Sequence, residues 1–109
     1  MIYKILLEDL VSNILEEIIE LKMHIIYIIT KEIEYLRTFN FYEFKALQVI
    51  EGDLLILLND KYNKIKNNKN IILYCTNDKM IETLSMLCIK FDKYLMIKHN
   101  IMAKYNKLH

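Results

Sequence analysis

A chain of 109 residues with one Gly, no Pro and no Trp reads as a single domain built from a few long helices, because the tight turns of all-β and α/β folds call for Gly, Pro or Asn-Gly pairs. A formal net charge of +1, with one Arg beside 14 Lys, argues against a dedicated nucleic-acid binder, which presents a net basic surface rich in Arg. Two cysteines, Cys75 and Cys88, do not make a disulfide framework.

The opening "MIYKILLEDL" turns acidic by residue 8, too short and too acidic for a secretory signal. The apolar run Ile25–Ile29 is far below membrane-spanning length. We therefore expect a cytoplasmic protein with no membrane span. The abundance of Lys, Ile, Asn and Tyr matches A- and T-rich codons, so genome composition accounts for part of the apolar excess. Charge is segregated along the chain. Residues 1–60 carry 11 acidic and 5 basic residues, and residues 61–109 carry 3 acidic and 10 basic. That pattern suits two halves folding against each other. The sharper reading, a basic half that meets nucleic acid or an anionic membrane, is disfavoured by the neutral total.

The first helix is expected over about residues 3–37. Ile14, Ile18, Leu21, Ile25, Ile28 and Tyr35 share one helical face. Ile19, Met23, Ile26, Ile29, Ile33 and Leu36 trace a second face beside it. Two stripes make this either the central helix of the domain or a helix that also meets a partner.

The pattern breaks at Thr38–Asn40. "NFYE" (Asn40–Glu43) has capping-box spacing, and Phe39 and Phe44 stand at the positions of a hydrophobic staple. A tight helix-to-helix turn follows, with antiparallel neighbours; one continuous helix with a polar interruption is the alternative. The second helix is expected over 41–66, its stripe formed by Phe44, Leu47, Ile50, Leu54, Leu58, Tyr62 and Ile65, widened by Leu55 and Leu57. Gly52 inside it costs about 1 kcal/mol relative to Ala and would permit close approach of a neighbouring helix. "NKIKNNKN" ends the helix. "IILYC" (Ile71–Cys75) reads either as a short extended stretch or as a helical turn.

The third helix is expected over 78–106. Ile81, Leu84, Cys88, Phe91, Leu95, Lys98, Met102 and Tyr105 form a heptad-like seam with one charged member. Leu87, Tyr94, Ile101 and Leu108 repeat every seven residues beside it. The expected architecture is all-α, an elongated antiparallel three-helix bundle.

No catalytic constellation is legible. His24 has only Glu20 at i−4, a weak metal pair. Glu16 and Glu20 read as a solvated face, and Cys88 as a small core residue. We expect no enzyme, no cofactor and no metal. Binding is better supported: Met80, Met86, Met96, Met102 and the tyrosines after residue 60 are adaptable contact residues. A wide apolar groove suits helix-in-groove recognition, and a homodimer or assembly module would satisfy the same excess.

The stretch from Ile29 to Ile65 resembles the FlgN-type flagellar export chaperones. It has Glu32 with Leu36 ("EIEYL"), then "RTFNFYEFKAL", then "EGDLLILL", with "KHNIM" late in the chain. Where that family carries a Lys before the Leu pair, Glu51, Gly52 and Asp53 stand here. The resemblance implies an export chaperone that masks the amphipathic C-terminal helix of a secreted structural subunit. By position in the last helix, it assigns the partner contact to Leu87, Phe91, Tyr94, Leu95, Ile101, Met102 and Tyr105.

Overall fold

The computed structural model describes residues 2–66 and 78–108, with side chains for 6, 8–66 and 78–106. The described residues form three helices: α1 (Ile2–Arg37), α2 (Phe41–Lys66) and α3 (Asp78–Leu108). At 1.5 Å per residue, the 36 residues of α1 run about 54 Å. That length sets the shape, 61 × 22 × 18 Å. The radius of gyration is 17.2 Å, against about 13 Å for a compact chain of this length. "IILYC" and both residues that precede Asp78 lie outside the described residues.

The doubly striped first helix is the central one. Both α2 and α3 pack along α1, and no Cα of α2 lies within 8 Å of α3 among the described residues. α2 runs antiparallel to α1. α3 runs parallel to α1, because Lys22 meets Cys88, Glu32 meets Lys98 and Leu36 meets Tyr105. Consecutive helices are therefore antiparallel, as the short first connection requires.

The core is centred differently from the two stripes read off the sequence. Val11, Leu15, Ile18, Ile25, Ile29 and Leu36 are buried, with Ile26 and Ile33 beside them. Ile14, Ile28 and Tyr35 are half-buried, and Met23 is exposed. On α2, Phe44, Leu58 and Ile65 are buried, whereas Ile50 and Leu57 face solvent; on α3, Ile81 does too. The direction of α1's stripe was fixed by where two partners, not one, could reach it.

The turn after α1 is built by a different device from the one its spacing suggests. The reciprocal Asn40–Glu43 exchange is not the closure. The Asn40 N–H donates to the Tyr35 carbonyl at 2.8 Å and the Phe39 N–H donates to the Leu36 carbonyl at 3.3 Å. Together these are the two bonds of a Schellman ending, which needs a left-handed residue after the cap. Phe39 fills that position, with φ 59°, where Gly would carry no steric penalty. Asn40 donates its side-chain amide to Thr38 Oγ1 at 2.9 Å. Phe44 is buried, whereas Phe39 is 68% exposed. Phe39 lies edge-on to Phe41 and Tyr105, with centroids 6.2 and 5.8 Å apart. The Tyr105 hydroxyl donates to the Leu36 carbonyl, which also accepts from Phe39, and so ties the end of α3 to the end of α1.

Gly52 does not mark a close helix approach. A Cβ built there meets nothing within 4 Å, and its φ is negative. Gly52→Ala is therefore expected to stabilise the protein by up to about 1 kcal/mol, through helix propensity and the loss of unfolded-state freedom. A urea unfolding curve that shifts to a lower midpoint would mean that the gap beside Gly52 is needed.

Candidate functional site

Two features stand out: a buried layer of charge and an exposed apolar hollow. The charge layer follows from seam spacing. On α1, Val11, Leu15, Ile18, Lys22, Ile25, Ile29, Glu32 and Leu36 alternate four and three residues apart. On α2, Phe44, Leu47, Glu51, Leu54 and Leu58 alternate three and four. Lys98 occupies the seam of α3. One charged residue from each helix thus falls at the same height of the bundle.

Glu32 is fully buried, and Lys98 and Glu51 are 3% and 7% exposed. Lys98 Nζ lies 2.7 and 2.9 Å from the Glu51 carboxylate oxygens, and 3.3 and 3.4 Å from those of Glu32. One ammonium therefore serves two carboxylates, and the closer pair takes most of the charge. Burial, and then the negative charge of Glu51, push the Glu32 carboxyl up to about 7.

Such a layer costs desolvation that its Coulomb energy barely repays. Its physical effect is registry: sliding α3 by one turn would strand a carboxylate pair in an apolar core. Lys98 was visible in the sequence as the charged member of its seam. Glu32 and Glu51 were not, because a search for apolar periodicity passes over charged residues that complete it.

A second buried cation sits roughly three turns away along the same seam, ten residues before Glu32 on α1. Lys22 is 6% exposed. It donates to Cys88 Sγ at 3.1 Å, with the rings of Phe91 and Tyr62 at 5.1 and 5.5 Å from its nitrogen. Burial pulls its ammonium down, but the Cys88 sulfur and the Tyr62 hydroxyl outweigh that and raise it above the usual lysine value. Cys88 is thus half-buried and hydrogen-bonded, more than the space-filling residue expected of it.

The hollow lies on α3. Thr83, Met86, Leu87, Ile89, Lys90, Lys93 and Tyr94 line about 620 Å³ of open surface. Leu87 and Lys90 continue it into a crease against Met23, Ile26, Tyr27 and Thr30 of α1. Met86 and Ile89 are 65% and 72% exposed, and Met23 and Tyr27 also face solvent.

The seven residues assigned by the resemblance to partner contact divide into three places. Leu87 and Tyr94 line this hollow. Phe91, Tyr94, Leu95 and Ile101 pack against the core of the bundle itself. Met102 and Tyr105 line a separate hollow of about 420 Å³ with Leu36, Phe41, Phe44, Lys45 and Asn106, at the α1–α2 turn. Met86, Ile89, Met23 and Tyr27 were not assigned. Their signal was present as apolar residues off the seam, but spacing does not say which off-seam residues another helix covers.

His24 is exposed and faces a shallow crease with Glu17, Glu20 and Lys61. Glu17 is paired with Lys61, whose hydrogen bond and charge hold the Glu17 carboxyl below its usual range. Among the described residues, no group of three or more His, Cys, Asp or Glu is placed to hold a metal ion. No described helix is long and apolar enough to cross a membrane. Comparison with protein-family models, with curated proteins and with solved structures returned no match.

Proposed function

We propose that the chain is a non-enzymatic helical binding protein that masks an amphipathic helix of a protein partner. The observation that carries this reading is the apolar hollow of α3, lined by Met86, Leu87, Ile89 and Tyr94 together with Lys90 and Lys93. It continues across Met23 and Tyr27 of α1. Exposed apolar surface of that extent marks interaction sites more often than bare monomer surface. A helix laid along α3 would bury its own apolar face there, in the helix-in-groove mode. The two lysines favour a partner helix whose flanks are acidic.

The resemblance of residues 29–65 to FlgN-type chaperones gives this reading its specific form. The client would be the C-terminal helix of a secreted structural subunit, held unpolymerised in the cytoplasm. Leu87 and Tyr94 would be the contacts that the two lines of reasoning share.

The test uses a fluorescent 20-residue helical peptide with a Leu face and Glu flanks, titrated with the purified protein and followed by anisotropy. Saturable binding is expected, weakened at least tenfold by Met86→Asp, a change at an exposed position. A tenfold loss corresponds to about 1.4 kcal/mol. No saturable binding, or equal binding of a scrambled peptide, would sink the proposal.

A further inference from the structure

The back of α2, the side turned away from α1, is as apolar as the hollow on α3. Tyr42, Val49 and Ile56 repeat every seven residues and are 85%, 66% and 65% exposed, with Ile50 and Leu57 beside them. Exposed Asp53 and Asp60 fall on the same stripe. Between Lys45 and Lys61 there is no basic residue at all. The outer face of α3 has the opposite character. Met86, Ile89 and Met96 are exposed beside exposed Lys90 and Lys93, and Asp92 is the one acid after Glu82.

We infer that a second copy of this chain covers the hollow, with α2 of each copy laid on α3 of the other. The proposal rests on the reading of the α3 hollow as a helix-docking surface and names its resting occupant. Three observations support it. The two faces match in type, apolar stripe to apolar stripe. Their charges are complementary, Asp53 and Asp60 on one and Lys90 and Lys93 on the other. The accessible surface is 8024 Å², against about 6,400 Å² for an ordinary monomer of this mass. The excess of roughly 1,600 Å² per chain is about twice the ~800 Å² that each partner gives up in a standard interface, in keeping with two contacts per copy. Each copy carries both faces, so an arrangement about one two-fold axis would satisfy both contacts and close the assembly, whereas any rotation that does not close would leave an open chain. An acidic client helix would then enter by displacing the α2 of the partner copy.

The experiment is light scattering on the full chain across a dilution series, with two exposed charge reversals, Lys90→Glu/Lys93→Glu and Asp53→Lys/Asp60→Lys. The wild type is expected at twice 13.2 kDa. Each variant should be monomeric at concentrations where the wild type is dimeric, with an unchanged helical circular dichroism spectrum. Their equimolar mixture should regain the dimer mass, because one contact of the mixed dimer then joins an acidic α3 to a basic α2 and the other keeps the wild-type pairing. A wild-type monomer at every concentration, a dimer indifferent to both reversals, a mixture that stays monomeric, or a mass that climbs past the dimer would each overturn the inference. The peptide titration separates the two failures. A monomer that still binds the acidic peptide loses the second copy but keeps the docking surface. A monomer that binds nothing loses both.

Discussion

Replacing Lys98 with Met is expected to cost 3–5 kcal/mol of folding stability, on the order of the penalty for removing one partner of a buried ion pair. The side chain changes little in volume, so cavity formation contributes little. The loss comes from charge. Glu32 and Glu51 would face each other across a core with almost no access to water and without the ammonium that now lies within 3.4 Å of both. Glu32, already raised to about 7, would be pushed higher still, and Glu51 would lose the ammonium that lies 2.7 Å from it. The measurement is urea unfolding followed by circular dichroism. Converting the whole layer, Glu32→Leu with Glu51→Leu and Lys98→Met, is expected to recover wild-type stability or exceed it by about 1–4 kcal/mol. A loss below about 1 kcal/mol for Lys98→Met alone would mean that water reaches the layer and solvates the carboxylates. The triple variant should also lose register, seen as broadened amide resonances, if the layer serves to align the helices.

Stability is expected to fall as pH rises from about 4.5 to beyond 7. The sign follows from Glu32. Its carboxyl is raised to about 7 in the folded protein from an ordinary value of 4.5, by burial and by Glu51. Between those values the folded state holds a proton that the unfolded state has released, so raising pH favours unfolding. The contribution is complete below the unfolded value and is lost as pH passes the folded one. Allowing for residual screening, the loss is about 2 kcal/mol. Glu17 acts in the other direction, but only in acid, where its lowered carboxyl is finally protonated. Urea midpoints at about pH 5.5 and about pH 8 would read the effect, since they lie on either side of the folded-state value of about 7. Glu32→Gln should flatten the slope. An unchanged slope in that variant would assign the titration elsewhere.

Glu32 and Glu51 also mark how far sequence reading reaches in this chain. Lys98 stood out because its seam was otherwise apolar and its spacing regular. The two glutamates had the same spacing but entered the sequence reading only through the family resemblance, since a search for apolar periodicity passes over charged residues, most of which lie on the surface. Only the convergence of three helices at one height shows that all three are buried together. Phe39 gives a second case. Its place next to Asn40 suggested a staple, yet it adopts the left-handed conformation and leaves Phe44 to fill the core. Local sequence specified that the chain turns there. Which hydrogen bonds close the turn depended on where Tyr105 of α3 arrives.

The sequence by itself determined the helices, their boundaries near residues 37, 41, 66 and 78, and the up-down-up course of the chain. Those features follow from local causes: apolar periodicity, the near-absence of breakers, and one short polar interruption. The tertiary structure decided which of the abundant apolar residues form the core and which remain on the outer faces of α2 and α3. Periodicity places a residue on a face of its own helix. Whether that face is covered depends on the positions of the other two helices: α2 and α3 both pack along α1 and meet each other through side chains such as Glu51 and Lys98.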